Sequence, residues 1–294
     1  MDAGLRQLEQ AWRKSGSVED EAAWLSARAA AGTLEPERLR FCALLGYPSA
    51  RRALRAQGQE PPSPDARFEW AGAALDLGPE GPLRLPLAAA RATLPVLRAA
   101  PAGQVRRALA ERQRELADAR GGPEVETRIP AAPWASFEAW LLDPSPAREA
   151  ALRDDLQLLP ALQSLEPDSP GLRYAIGCAR ATLEGVDAQA PLDCPDDDMS
   201  EAELAEWTRL RRSARLRTAL TSALGALCDY ALGEHEVEVT DELCRRLEAE
   251  QLTQTLLPAL AAELSPWLLG YGDPVRLRVA QSEETELWPG GAEG

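Results

Sequence analysis

The stretch from Ser200 to Ala231, SEAELAEWTRLRRSARLRTALTSALGALCDYA, constrains the fold more than any other part of the chain. Its start is written clearly. Ser200 can accept a hydrogen bond from the backbone of Glu203, and Glu203 can reach back to the Ser200 amide, which makes a capping box. Glu201, Glu203 and Glu206 set negative charge on the positive end of the helix dipole. Leu204, Trp207 and Leu210 follow at helical spacing, and Leu216, Leu220, Ala223, Leu224, Leu227 and Tyr230 continue it. The second half is apolar over most of its circumference, which predicts burial on several sides. Trp207 is expected to pack against the helices on either side. At 1.5 Å per residue the helix would run about 48 Å, longer than an ordinary domain is wide, so a break near Ser213 would be one way to accommodate it. Gly233 suits a C-terminal stop.

The rest of the chain repeats this character in shorter pieces. Hydrophobic residues make up 45% of 294 positions, enough for a real core, and Leu and Ala supply most of it. β-branched residues are sparse, and the one clear alternation, HEVEVT at 235–240, has no partner strand. An all-α protein is expected. Helices are read at 3–15, 18–31, 36–45 and 48–56, with Pro36 and Pro48 in first-turn positions and Gly32 and Gly46 as stops. Four short helices joined by tight turns predict stacked helical hairpins, either irregularly repeat-like or bundled. No repeat of fixed period supports a regular solenoid. Further helices are read at 65–77, 84–99, 102–120, 134–142, 146–163, 170–183, 241–250 (capped by Thr240), 252–264 and 273–287. The proline-containing loop at 123–133 divides an N-terminal part, 1–120, from a C-terminal part, 134–288, organised on the long helix.

A net charge of −15 argues against non-specific binding of nucleic acid or anionic membrane by the whole surface. Five scattered cysteines, with no CxxC, point to reduced thiols rather than a disulfide frame. The polar, amphipathic start and the lack of a long apolar run lead us to expect neither a signal sequence nor a membrane span, and a cytoplasmic location.

Chemistry-bearing constellations are few. His235 is the single histidine, so any Ser-His-Asp or Cys-His set must use it. A metal site of Cys228, His235 and Cys244 is conceivable, but the spacings match no zinc-finger type, and a surface histidine with two buried cysteines is the simpler reading. Asp196, Asp197 and Asp198 lack the alternation and central glycine of an EF-hand. GxGxxG, GxxxxGK[ST] and GxSxG are absent from the sequence. No catalytic, cofactor-binding or metal-ligating residue is therefore assigned. The sharpest oddity is charge polarity. Nine acids and no Arg or Lys lie between Glu184 and Glu206, and then Arg209, Arg211, Arg212, Arg215 and Arg217 follow in a stretch with no acid. These arginines form either a docking patch for an acidic partner or phosphates, or internal pairs with the acidic tract. In a chain this acidic, internal pairing is the simpler outcome.

Three stretches carry a resemblance: SGSVEDEAAWLSARAAAGTLEPERLRFCALLGYPSARRAL (15–54), FEAWLLDPSPAREAALR (137–153) and SPWLLGYGDPVRLR (265–278). They resemble segments of uncharacterised Ala/Arg-rich, all-helical proteins of GC-rich bacteria such as myxobacteria, and the layout resembles immunity proteins built from alanine-rich helices. The resemblance implies a cytoplasmic helical binding protein and no catalytic residues. The expected function is thus non-catalytic: a helical scaffold, adaptor or immunity-type protein that engages another protein through Arg209–Arg217. The alternatives are a nucleic-acid-associated subunit using the same arginines, and a metal-dependent protein centred on His235.

Overall fold

The computed structural model describes residues 3–93, 111, 114–115, 135–143, 145–148, 150, 152, 199–233 and 240–281. The protein is all-α, and the described residues contain no strand. The elements among the described residues are α1 (Ala3–Ser15), α2 (Val18–Ala30), α3 (Pro36–Leu44), α4 (Pro48–Ala56), a 3-10 helix (Glu69–Leu77), α5 (Gly81–Ala92), α6 (Ala135–Leu142), α7 (Glu201–Gly233), α8 (Asp241–Gln251), a π turn (Leu252–Leu256), α9 (Leu257–Leu269) and α10 (Pro274–Gln281).

Local chemistry sets most of these bounds. The Ser17 hydroxyl accepts the Asp20 amide at the start of α2, and Thr240 accepts the Leu243 amide at the start of α8. Pro36 and Pro48 open α3 and α4, where a missing N–H costs nothing. The capping box forms as the sequence predicts: the Ser200 amide donates to Glu203 Oε2 at 2.9 Å, and the Glu203 amide donates to Ser200 Oγ at 3.4 Å. The Ser200 hydroxyl also donates to Glu203 Oε2 at 2.6 Å, and this bond, followed by that from the Ser200 amide, holds the exposed Glu203 carboxyl below its ordinary pKa.

α1 to α4 form two consecutive helical hairpins, with α2 packed on both α1 and α4. α7 lies against the 3-10 helix and α5, and α9 closes the core against α3 and α5. A single hydrophobic cluster runs through α2, α3, α4, the 3-10 helix, α5, α7 and α9, and its fully buried members include Leu25, Leu39, Phe68, Leu216 and Leu260. The N-terminal and C-terminal parts thus contribute to one core; the stretch expected to separate them, 121–133, lies outside the described residues.

Four local expectations change. The segment read as a helix from residue 65 is a 3-10 helix at Glu69–Leu77, entered by Phe68 at φ 53°. Tighter winding here goes with close approach to α7: a Cβ on Gly72 would sit 2.7 Å from Ser213 Oγ. α7 itself runs unbroken through Ser213, 33 residues from Glu201 to Gly233. The two helices read at 241–250 and 252–264 are joined by the π turn, because Pro258 cannot donate the next α-type hydrogen bond and the Leu257 amide reaches back to Leu252 instead. α5 begins at Gly81, three residues before its expected start, and its first turn is pressed against the Ala74 carbonyl.

Candidate functional site

The core contacts of α7 locate its five arginines around the helix. Leu216, Ala219, Leu220 and Ala223 are buried and fix the inward face. Arg209 lies seven residues before Leu216, on that same inward side, where the 3-10 helix meets it. Its guanidinium donates to both carboxylate oxygens of Asp76 at 2.8 Å. These hydrogen bonds hold the Asp76 carboxyl below its ordinary pKa and raise that of Arg209. Arg212 is half-buried on the flank, and its Nε is buried with no hydrogen-bond partner. Arg211 is exposed and places its guanidinium 5.5 Å from the Trp207 ring centroid. Arg215 is half-buried and Arg217 exposed. The arginines are therefore dispersed around the helix, with Arg209 spent on an acid of another element. Asp196 to Asp198, proposed as their internal partners, lie outside the described residues.

Trp207 is half-buried rather than enclosed. It sits nine residues before Leu216, which at about 100° per residue places it on the opposite side of α7 from the core. The exposed side of α7 is read from residues 203, 206, 210, 217 and 221, all open to solvent. Leu210 is 62% exposed and Leu204 38%, so two of the exposed large apolar side chains of the described protein fall in this one half-helix.

Three buried polar nodes lie elsewhere, and sequence reasoning missed all of them. Glu21, 7% exposed in the first turn of α2, accepts Tyr47 at 2.8 Å and Ser49 at 2.7 Å, and the Tyr271 hydroxyl donates to the same Oε1 that Tyr47 uses. The Tyr271 ring stacks with Trp12 and Trp24, and Arg28 lies over Trp24 while donating to the Leu269 carbonyl at 2.6 Å. Burial, followed by the Glu21 hydrogen bond, pushes both tyrosine pKa values up, so neither hydroxyl supplies a proton at neutral pH. In the second node, buried Arg84 donates to both oxygens of Asp273 at 2.8 and 2.7 Å and to Glu80 at 2.8 Å, over the face of Trp267. Burial alone would raise the Asp273 carboxyl, but the Arg84 hydrogen bonds and charge hold it below its ordinary range. A cleft of about 310 Å³ opens beside this node, lined by Trp267, Gly270, Gly272 and Arg276 among others. In the third, Glu138 of α6 and Glu263 of α9 are bridged by Arg91 of α5 and Arg278 of α10 at 2.8 to 3.3 Å. Desolvation raises the Glu138 carboxyl against the pull of both arginines.

In the first node three hydroxyls surround one carboxylate, and in the other two, arginines bridge acids of different helices, so all three act as ties between helices. One signal could have exposed the first. The tetrapeptide Leu-Leu-Gly-Tyr occurs at 44–47 and again at 268–271. Both copies end a helix in the same way: Gly46 at φ 89° and Gly270 at φ 74° turn the chain, and the following tyrosine amides bond back to Cys42 and Pro266.

Cys42 is buried, Cys228 and Cys244 are half-buried, and none is bonded in a disulfide. Burial pushes the Cys42 and Cys228 thiols up to about 12, which suits inert structural cysteines rather than nucleophiles. His235 lies outside the described residues, and among the described residues no group of three or more His, Cys, Asp or Glu side chains is arranged to hold a metal. No described helix is long and apolar enough to cross a membrane. Comparison with protein-family models, with curated proteins and with solved structures finds no match to this chain.

Proposed function

We propose that this is a non-catalytic protein-binding protein, a helical scaffold, adaptor or immunity-type chain, which docks a partner protein along the N-terminal half of α7. One observation carries the reading. The part of the longest helix most open to solvent presents Leu210 and Leu204 together with the exposed Arg211 and Arg217, beside a core that is otherwise well closed. An apolar side chain flanked by arginines is the composition of a protein-binding patch, in which the apolar group supplies burial and the charges supply register. A phosphate-binding role is less well supported, because Glu201, Glu203 and Glu206 occupy the same half-helix and Arg209 is already neutralised by Asp76. The partner segment is expected to be apolar with acidic flanks.

The test is affinity capture from the native host with wild type and with Arg211→Glu/Arg217→Glu. Both substitutions lie at exposed positions, so the variant should melt at the wild-type temperature and lose the captured partner. A variant that folds and retains every captured protein at wild-type levels would overturn the docking role.

A further inference from the structure

The exposed line on α7 is antisymmetric in charge about Leu210. Glu203, Leu210 and Arg217 are spaced by seven residues, so they lie nearly on one line along the helix, and all three are exposed. The acid precedes Leu210 by the interval at which the arginine follows it. A second α7 laid antiparallel across Leu210 therefore meets its complement at these three positions: Leu210 faces Leu210 on the two-fold axis, and Glu203 of each copy faces Arg217 of the other. Glu206, one turn after Glu203 and also exposed, adds a second acid within reach of the opposing Arg217. A parallel copy would set acid against acid and arginine against arginine.

We propose that the partner docked by α7 is a second copy of this chain, in an antiparallel α7–α7 contact centred on Leu210. This rests on the docking role proposed above and names its occupant. The argument is self-complementarity, which a two-fold interface requires and which a patch for a foreign partner does not. The opposed charges lie about 10 Å on either side of the axis at 1.5 Å per residue, so the contact is short and sits at the weak end of specific interfaces. A concentration-dependent dimer follows. Bulk salt is a poor probe of it, since the salt that screens the Glu203–Arg217 pairs also relieves repulsion between two chains of charge −15.

The decisive experiment is sedimentation analysis over a concentration series up to the high micromolar range, with full-length wild type and three variants. Wild type should shift toward the dimer mass as concentration rises. Leu210→Glu should stay monomeric throughout while keeping the wild-type helical spectrum and melting temperature. Arg217→Glu alone and Glu203→Arg alone should each be monomeric, because each sets like charges against one another twice. An equimolar mixture of those two should recover the dimer, because only the mixed pair restores both opposite-charge contacts. Ser200 still caps α7 in Glu203→Arg, and a circular dichroism spectrum checks that the helix persists. A monomeric wild type at the highest concentration, an undiminished Leu210→Glu dimer, or a mixture that stays monomeric would each overturn the proposal. A monomeric wild type whose captured partner is lost in Arg211→Glu/Arg217→Glu would remove this inference and leave the docking role standing.

Discussion

Replacing Tyr271 with Phe isolates a single contact at the Glu21 node. The ring is kept, and with it the stacking on Trp12 at 4.9 Å and Trp24 at 5.6 Å, so only the hydroxyl is lost. That hydroxyl donates to a buried carboxylate, and hydrogen bonds to charged groups contribute about 1.5–3 kcal/mol each. Glu21 keeps Tyr47 and Ser49, so the cost should fall in the lower half of that range, about 1.5–2 kcal/mol. Because Tyr47 and Tyr271 donate to the same oxygen, each partly compensates for loss of the other. Tyr47→Phe/Tyr271→Phe leaves Ser49 as the carboxylate's remaining donor of the three and should cost more than the two single changes combined. Tyr271→Ala also removes the stacked ring and belongs with core aromatic truncations, at about 3–5 kcal/mol. Urea denaturation of wild type and the four variants, Tyr47→Phe alone included, read as midpoint and slope, measures all of this. A Tyr271→Phe cost below about 0.5 kcal/mol, or strictly additive tyrosine effects, would refute the reasoning, because the carboxylate would then not depend on the pair.

At the four-charge node, Glu138→Gln should cost under about 1 kcal/mol, while Arg278→Met, which leaves Glu138 and Glu263 sharing Arg91 alone, should cost more than that by thermal or chemical denaturation. The raised Glu138 carboxyl fixes the sign of its pH effect: the folded state binds that proton more tightly than the unfolded state, so this group favours folding at acid pH and the contribution is lost as pH rises through the folded value. The difference in stability between wild type and Glu138→Gln should therefore change with pH in that direction, read from melting temperatures across the carboxyl range. Asp273 runs the other way, its contribution being present above the ordinary carboxyl range and lost as pH falls through its lowered value. Arg209→Ala breaks a pair whose side chains are about half-exposed, so it should cost under about 1 kcal/mol despite its bidentate geometry. Gly72→Ala drives a methyl toward Ser213 and should cost about 1–3 kcal/mol by overpacking, with Ser213→Ala in the same protein recovering part of the loss.

What the sequence made legible is what neighbours in sequence decide. The Ser200–Glu203 box, the Thr240 cap and the proline starts of α3 and α4 each involve residues within one turn, and all are found where the pattern puts them. The arginines of α7 were visible as a cluster, but their division around the helix was not, because Asp76, which binds Arg209, lies 133 residues away. Trp207 shows the limit of a periodic pattern. The spacing of Leu204, Trp207 and Leu210 is helical, yet the core contacts of the second half lie on the opposite side of the same helix. The 3-10 helix at 69–77 brings Gly72 against Ser213 of a distant element, a contact that local propensity cannot anticipate.

Glu21 shows how a residue with an ordinary local explanation acquires a different role. In sequence it is the third acid in a row at the start of α2, where any acid is favoured by the helix dipole. Its neighbours Glu19 and Asp20 fulfil that role with less burial. Glu21 differs because Ser49 and Tyr47 enter from the α3–α4 corner and Tyr271 enters from the α9–α10 corner, 250 residues away in sequence. Both corners use one device: two buried leucines anchor the helix end, a left-handed glycine reverses the chain, and the next tyrosine is aimed back at the carboxylate. A buried carboxylate is costly until several donors surround it, so the site is complete only when both corners are in place. The repeated tetrapeptide therefore has a shared physical cause at its two positions: each copy closes one side of the same buried charge, and together they tie the first helices of the chain to α9.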